Sequence, residues 1–333
     1  MPQVDPRDIK TFIRMYVEVG ACVWGLRAFE TEVWLVAALL LAYFSGHLLQ
    51  GLVKWAAPKG AVIIMLPVAL AGVAAGMQLA SLPILLPALF ATGCSLGPIL
   101  TPVSGRPRIR LHKIGAKLIG MIGAVAVLGG PLVFGAIAII AAVIHSALIA
   151  SPDVRPAEPG IRLWTSMDFI NIFHQSSYFA FVFLFWSLWP QAVDWAPALL
   201  FSLGWIGYWA MELRLTDPSA PYRPRLLAAG HLVVALVLIA MAAFPSPPLL
   251  MLGWFLTGVG GGTCYTMERA SSGKPGRLSD DIGAVLGVAT GAGIVALMHT
   301  SRAALVAGAC YALVAVYLAW TTRCTYESRR AAT

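Results

Sequence analysis

The feature that most constrains this chain is the recurrence of apolar runs about as long as a lipid bilayer is thick. A helix that crosses a membrane needs roughly 20 mainly apolar residues, and such runs follow one another along almost the entire sequence. Of the 333 residues, 59% are hydrophobic and 11% are charged, whereas a soluble domain carries about 25% charged residues. The sequence therefore predicts an all-α membrane protein with no room for a soluble catalytic domain.

Twelve apolar runs are predicted to span the membrane, separated by charged residues or by glycine and proline. The 32 glycines and 22 prolines fit this interpretation, because both residue types are frequent in membrane helices. The predicted spans cover residues 9–28, 33–53, 60–80, 83–103, 113–130, 132–150, 166–189, 195–213, 225–245, 248–267, 280–299 and 302–321.

Most of the 23 Lys and Arg residues lie in alternate connections, from Arg7 and Lys10 at the start to Arg323, Arg329 and Arg330 at the end. Cytoplasmic loops carry an excess of Lys and Arg, so the alternation predicts twelve spans with both termini cytoplasmic. We expect a multi-pass protein of a bacterial inner membrane with its N-terminal segment retained. The net charge of +8 then indicates topology and affinity for anionic lipid headgroups rather than nucleic-acid binding.

The chain is predicted to consist of two similar halves joined by a cytoplasmic linker. Residues 1–150 form the first six-helix half, the proline-rich segment 151–165 is the linker, and residues 166–333 form the second half with a short cytoplasmic tail. Two short sequences recur about half a chain apart. Ala91-Thr92-Gly93 matches Leu256-Thr257-Gly258, and Ile114-Gly115-Ala116 matches Ile282-Gly283-Ala284.

The predicted organisation resembles the major facilitator superfamily (MFS) of secondary transporters. The shared features are six plus six spans, a central cytoplasmic linker, a short basic loop after span 2 and a Gly-rich span 5. The resemblance covers the whole chain. The loop at residues 51–60 is similar to the superfamily's motif between spans 2 and 3, although the usual Asp is absent and Trp55 stands near its place. The resemblance implies two pseudo-symmetric halves that rock about a central cavity.

The glycines of span 5 and the turn after it are similar to the signature of antiporters in this superfamily. They are Gly120, Gly123, Gly129, Gly130 and Gly135, with Pro131 among them. Small residues at helical spacing also let two helices pack closely, so close packing alone explains the pattern equally well.

Two polar stripes are the predicted binding residues, because ionisable groups inside a membrane usually face a protein interior or a water-filled cavity. One stripe lies in span 1 and the other in span 7, and the resemblance implies that both face the substrate. Their members are Arg14 and Glu18 in span 1 and Asp168, Asn171, His174, Gln175 and Tyr178 in span 7.

Each ionisable candidate has a functional and a structural interpretation. Glu18 is predicted to exchange a proton, but it also has the spacing to form a structural ion pair with Arg14. His174 is a candidate for substrate binding or proton relay, or it is a core histidine with a hydrogen bond. Lys117 is placed to contact an anionic substrate or to extend its ammonium group to the membrane interface.

The charges that bracket the connection between spans 10 and 11 are predicted to form a cytoplasmic gate, a role that the resemblance implies. They are Glu268, Arg269, Asp280 and Asp281. His47, His145 and His231 lie singly in spans and are expected to be packing residues with a hydrogen bond. The five cysteines have no metal-ligand spacing, so no metal or cofactor is predicted.

Aromatic residues have two predicted roles. Trp186, Trp189 and Trp195 are expected in an aromatic belt at the outer membrane surface. Trp24, Trp205, Tyr208, Trp209, Trp254 and Tyr265 lie in or near span bodies, where they line a substrate cavity or pack against lipid.

The sequence predicts a monomeric secondary transporter of a small organic solute, proton-coupled, with efflux narrowly preferred. The expected partners are the small-molecule substrate, protons and membrane lipids, with no nucleic acid. Uptake of a metabolite or a metal chelate, or a non-transporting scaffold with the same fold, are the alternatives. An enzyme is not predicted, because no nucleophile elbow, zinc-protease helix or phosphate-binding loop is present.

Overall fold

The computed structural model of the chain describes residues 3–28, 33–53, 59–96, 100–102, 108–109, 113–126, 130–150, 154–156, 164–182, 196–215, 223–271 and 276–331. These residues form twelve α-helices and four strands of two or three residues each. Several of the helices are apolar, which is consistent with an integral membrane protein.

The first six helices match the first six predicted spans in order. They are α1 (Pro6–Ala28), α2 (Val33–Val53), α3 (Lys59–Gln78), α4 (Leu82–Leu96), α5 (Lys113–Ala126) and α6 (Gly130–Ala150). Helix α4 ends at Leu96, several residues before the predicted end at 103. The next two residues, Gly97 and Pro98, favour helix termination, so the prediction ran too far.

The last six helices also follow the predicted order. They are α7 (Ser166–Phe179), α8 (Ala196–Leu215), α9 (Pro224–Ala243), α10 (Pro247–Ala270), α11 (Arg277–Met298) and α12 (Ser301–Ala331). Helix α12 continues ten residues beyond the predicted end at 321, because its polar tail contains neither Gly nor Pro. Helix α7 ends at Phe179, ten residues before the predicted end of span 7 at 189. Residues 183–195, which include the predicted belt residues Trp186, Trp189 and Trp195, lie outside the described part of the chain.

Five helices are long and apolar enough to cross a membrane among the residues that the structure describes. Their apolar stretches are Trp34–Leu52, Gly130–Ala150, Pro224–Ala243, Leu278–Met298 and Ser301–Thr322. Large apolar side chains such as Ile64, Leu132 and Leu297 are exposed on helix surfaces. In water such surfaces would be costly, whereas lipid chains solvate them.

The chain divides into two compact units, residues 1–161 and 162–333. In the first unit α1 packs on α5, α2 on α4, and α3 on α6 and α4. In the second unit α7 packs on α11, α8 on α10, and α9 on α12 and α10. The two units therefore pair their helices in the same order.

Glycines at the helix crossings show the same correspondence at atomic scale. In the first unit, a Cβ atom on Gly46 of α2 would overlap the carbonyl oxygen of Phe90, and one on Gly93 of α4 would overlap that of Tyr43. These two helices are therefore in backbone contact, which only a residue without a side chain permits.

The crossing of α8 and α10 repeats this arrangement in the second unit. A Cβ atom on Gly207 would lie 2.5 Å from the carbonyl oxygen of Phe255, and one on Gly258 would overlap that of Gly204. Thr92 of α4 and Thr257 of α10 each stand directly before the glycine of their crossing. Each hydroxyl donates a hydrogen bond to the carbonyl oxygen four residues earlier, at 2.8 Å for Thr92 and 2.9 Å for Thr257. The Thr-Gly pairs that match in sequence therefore occupy equivalent structural positions.

The strands lie in the first unit, β1 before the first helix and the others in segments that follow α4 or α6. β1 (Gln3–Val4) pairs in parallel with β3 (Arg108–Ile109), and β2 (Leu100–Pro102) pairs antiparallel with β4 (Val154–Pro156). β4 belongs to the predicted linker 151–165, of which residues 151–153 and 157–163 lie outside the described part of the chain.

Candidate functional site

Four polar side chains meet inside the second unit and define what we call the His-Cys-Glu cluster. His174 comes from α7, His231 from α9, and Cys264 and Glu268 from α10. Their exposed fractions are 9%, 2%, 0% and 0%, in that order. Burying a charged or polar group at such depth costs free energy unless a partner compensates it. The contacts within this cluster determine how much of that cost is compensated.

The carboxylate of Glu268 faces a nitrogen atom of each imidazole ring. Its Oε1 atom is 3.1 Å from Nδ1 of His174 and 3.7 Å from Nε2 of His231. The two rings are perpendicular, with centroids 5.3 Å apart. The first distance is that of a hydrogen bond, while the second is longer than a hydrogen bond.

The carbonyl oxygen of Leu227 orients two members of the cluster. Nδ1 of His231 lies 2.9 Å from this oxygen, and Sγ of Cys264 lies 3.6 Å from it. Because a carbonyl only accepts, the neutral ring of His231 carries its proton on Nδ1 and presents the lone pair of Nε2 to the cluster.

Small residues allow α9 and α10 to approach closely enough to form the cluster. A Cβ atom on Gly230 would lie 2.6 Å from Sγ of Cys264, and one on Gly260 would lie 2.8 Å from the carbonyl oxygen of Gly230. Cys264 and Glu268 are four residues apart and so share one face of α10. The glycines of α9 and α10 thus position this face beside His231.

Two polar atoms of the cluster have no hydrogen-bond partner among the described residues. They are Oε2 of Glu268 and Nε2 of His231. Buried acceptors without a partner are rare in folded proteins, and each one calls for an explanation. An imidazole pair, a thiol and a carboxylate can together exchange protons or bind a metal cation.

A second polar network joins α7 to the start of α11 and the end of α10. Nδ2 of Asn171 donates hydrogen bonds to Oγ of Ser279 at 2.8 Å and to Oδ1 of Asp280 at 2.7 Å. Asp280 also forms an ion pair with Arg269 at 3.1 Å, and Arg269 lies over the ring of Tyr265. Of the predicted gate residues, Arg269 and Asp280 therefore link α10 to α11.

Asp168 has a structural role at the start of α7. Its Oδ2 atom accepts hydrogen bonds from the backbone N–H and the hydroxyl of Thr165, at 2.8 and 2.9 Å. Its Oδ1 atom accepts one from the backbone N–H of Gly276 at 2.6 Å. Asp168 thus forms a capping box with the N-cap residue Thr165 and holds the segment that precedes α11.

The remaining gate and stripe residues lie at different depths. Glu268, predicted as a gate residue, lies in the His-Cys-Glu cluster, and Asp281 is buried in α11. Gln175 is half-buried where Gly283 approaches α7. Tyr178 is half-buried in an aromatic group, with its ring 5.9 Å from that of Trp205 and 6.1 Å from that of Trp254.

In the first unit the predicted binding residues are half-buried. Arg14 and Glu18 are one turn apart on α1, and Lys117 lies on α5. His47 is buried on α2 with its ring against that of Tyr43, at 4.7 Å between centroids. His145, predicted to make a hydrogen bond, is buried on α6 with both ring nitrogens unpaired among the described residues.

Sequence reasoning missed the His-Cys-Glu cluster as a unit. It singled out His174 and Glu268 but assigned them separate roles, and it treated His231 and Cys264 as packing residues. The spacing of Cys264 and Glu268 on one helix face was a usable signal. No sequence signal indicated that α7 and α9 contribute to the cluster, since His174 and His231 are distant in sequence.

No protein-family model matches the chain, and no curated protein matches it. The resemblance to the major facilitator superfamily therefore remains a prediction.

Proposed function

We propose that the chain is a twelve-span secondary transporter of the MFS type, with two six-helix halves that provide alternating access to a substrate site. The observation that carries this proposal is the repeated packing within the two units. Each unit pairs its first helix with its fifth, its second with its fourth and its third with its sixth. Parallel repeats of six helices are the architecture of this class of transporter.

The close crossings support a mechanism in which each half moves as a rigid body. Backbone contact at Gly46 and Gly93, and again at Gly207 and Gly258, joins the second and fourth helix of each unit. Because packed interiors have discrete rather than continuous arrangements, motion between two such bundles costs less than motion within one.

Helices α1, α8 and α10 are proposed spans although they are not among the five described helices that are long and apolar enough to cross a membrane. They contain 23, 20 and 24 residues, and about 20 residues cross the hydrocarbon core at a rise of about 1.5 Å per residue. The charged residues of α8 and α10 lie toward one end, as Glu268 and Arg269 of α10 do, whereas those of α1 extend through Glu18 to Arg27. The alternation of basic loops supports a topology with both termini on the cytoplasmic side, and the proposed membrane is a bacterial inner membrane.

Glu18 is the proposed proton-coupling residue. It is a half-buried carboxylate in the first helix of the first repeat, one turn from Arg14. A carboxylate inside the membrane is costly to keep charged, so a change of its surroundings during transport would promote proton uptake and release. The proposed substrate is a small organic molecule, anionic or aromatic, with efflux narrowly preferred over uptake.

Reconstituted vesicles test the transport proposal directly. We expect an imposed proton gradient to drive movement of at least one solute from a panel of organic anions and aromatic amphiphiles. Replacing Glu18→Gln should reduce gradient-driven flux at least tenfold, because the amide cannot carry a proton. Glu18→Asp, which retains the carboxyl group, serves as the matched control and should retain much of the flux.

Two results would contradict the proposal. If no solute moves under any gradient, the non-transporting scaffold becomes the better interpretation. If Glu18→Gln transports as well as the unmodified protein under a proton gradient, Glu18 does not couple transport to protons.

A further inference from the structure

We infer that His174, His231, Cys264 and Glu268 form a binding site for a transition-metal cation of the zinc class. This inference concerns the second unit alone and does not depend on the proposed transport. It rests on the donor set, on the unpartnered atoms of the cluster and on the orientation of its rings.

The donor set is the one that a borderline divalent cation prefers. Zn²⁺ binds imidazole nitrogen, thiolate sulfur and carboxylate oxygen, usually with four ligands in a tetrahedron. The ligand atoms of His174, His231 and Cys264 all lie within 4.8 Å of one another, and Glu268 adds a carboxylate oxygen 3.1 Å from His174. Magnesium and calcium would require a set of oxygen ligands instead.

The spacing of the cluster is close to that of a metal site. Ligand distances of about 2.0–2.3 Å around a tetrahedral zinc ion place ligand atoms about 3.5 Å from one another. The ligand atoms of His174, His231 and Cys264, which lie within 4.8 Å of one another, therefore need to approach by about an ångström, a displacement on the scale of a side-chain rotation.

The unpartnered atoms are those that a cation would use. Nε2 of His231 and Oε2 of Glu268 have no hydrogen-bond partner in the described part of the chain, and Glu268 is fully buried. A divalent cation would satisfy both atoms, and it would balance the negative charges of the carboxylate and of a Cys264 thiolate.

The surroundings of His231 match those of a metal-ligating histidine. Such a ring commonly donates its second N–H to a backbone carbonyl, which fixes the ring orientation. Nδ1 of His231 makes this contact with Leu227 at 2.9 Å, so Nε2 is left to bind. Leu227, Ile170 and Met267 form an apolar shell next to Cys264, which keeps water from competing for the cation.

A plain hydrogen bond between His174 and Glu268 is the competing explanation, and it assigns no role to His231 or Cys264. The two explanations therefore differ in the effect that they predict for Cys264→Ser and His231→Gln on metal binding. Both substitutions nearly conserve volume, so they test ligation with little effect on packing.

Zinc binding by the untagged full-length protein in detergent micelles provides the test. After equilibrium dialysis against Zn²⁺ we expect about one zinc per chain, with affinity at least tenfold weaker in Cys264→Ser and in His231→Gln. Cys94→Ser and His145→Gln are the matched controls, because they alter a cysteine and a buried histidine of the first unit. They should bind zinc as the unmodified protein does.

Co²⁺ substitution supplies a measurement that needs no variant. Cobalt at the proposed site should give the charge-transfer absorption of a thiolate ligand and the strong visible bands of tetrahedral coordination. Absence of the thiolate absorption in the unmodified protein would overturn the inference, even if the variants fail to fold. Zinc bound with equal affinity by Cys264→Ser and His231→Gln would overturn it as well, since the metal would then lie elsewhere.

Discussion

Glycine at a few positions determines how closely the helices of each unit approach one another. Gly258 lies where α10 meets the backbone of α8, and a Cβ atom there would overlap the carbonyl oxygen of Gly204. By contrast, a Cβ atom on Gly293 of α11 would have nothing within 4 Å. Two glycines in helices of the same unit therefore have opposite tolerance for a methyl group.

Replacing Gly258→Ala should destabilise the protein by about 1–3 kcal/mol, because the helices must separate to admit the methyl group. Gly293→Ala is the matched control and should be neutral or stabilising by up to about 1 kcal/mol, since alanine favours a helix more than glycine does. Thermal unfolding in detergent measures both. Equal melting temperatures for the two variants would contradict the close crossing.

The elements of the second unit are joined by polar contacts as well as by close packing. Asn171 on α7 is fully buried and donates to Ser279 and Asp280 at the start of α11. Since Asp280 also pairs with Arg269, this network joins α7, α10 and α11 at one end of the unit. The structure thus gives Asn171 a helix-joining contact, whereas the sequence predicted it only as a substrate ligand.

Replacing Asn171→Asp should destabilise the protein strongly at neutral pH, by about 3 kcal/mol or more, because it buries a second carboxylate beside Asp280 without a donor. The control is Gln175→Glu, one turn further along α7, where the side chain is half-buried. This substitution should lower the free energy of unfolding by less. Chemical unfolding in mixed micelles compares the two. If Asn171→Asp lowers the free energy of unfolding by no more than Gln175→Glu does, the hydrogen-bond network around Asn171 is contradicted.

At the scale of the whole molecule, the two units share one order of helix pairing. Ala80 follows α3 in the first unit, and Ser246 precedes α10 in the second. Both positions are exposed. If each helix from α4 to α9 crosses the membrane once, six crossings separate these positions and place them on the same side.

Single cysteines test this topology. In a background in which all five cysteines of the chain are serine, Ala80→Cys and Ser246→Cys should react with a membrane-impermeant maleimide added outside intact cells. Ser104→Cys and Ser219→Cys lie in the predicted cytoplasmic loops and should react only after the cells are opened. Labelling of Ala80→Cys and Ser246→Cys from opposite sides would require an odd number of crossings between them.

The sequence by itself determined the all-α class, the order of the twelve helices and most of their limits. These properties follow from local rules, since runs of apolar residues and the helix-breaking pair Gly97-Pro98 act within one segment. The Thr-Gly pairs at residues 92–93 and 257–258 match in sequence. They also indicated the repeat that the helix crossings show.

Only the tertiary structure decided which side chains meet. His174, His231 and Glu268 lie on three different helices, and their proximity depends on how α9 packs against α10 at Gly230 and Gly260. Helical periodicity identifies the face on which a residue lies, but it does not identify the partner of that face. The His-Cys-Glu cluster is therefore a product of packing, whereas the helices that form it follow from local sequence.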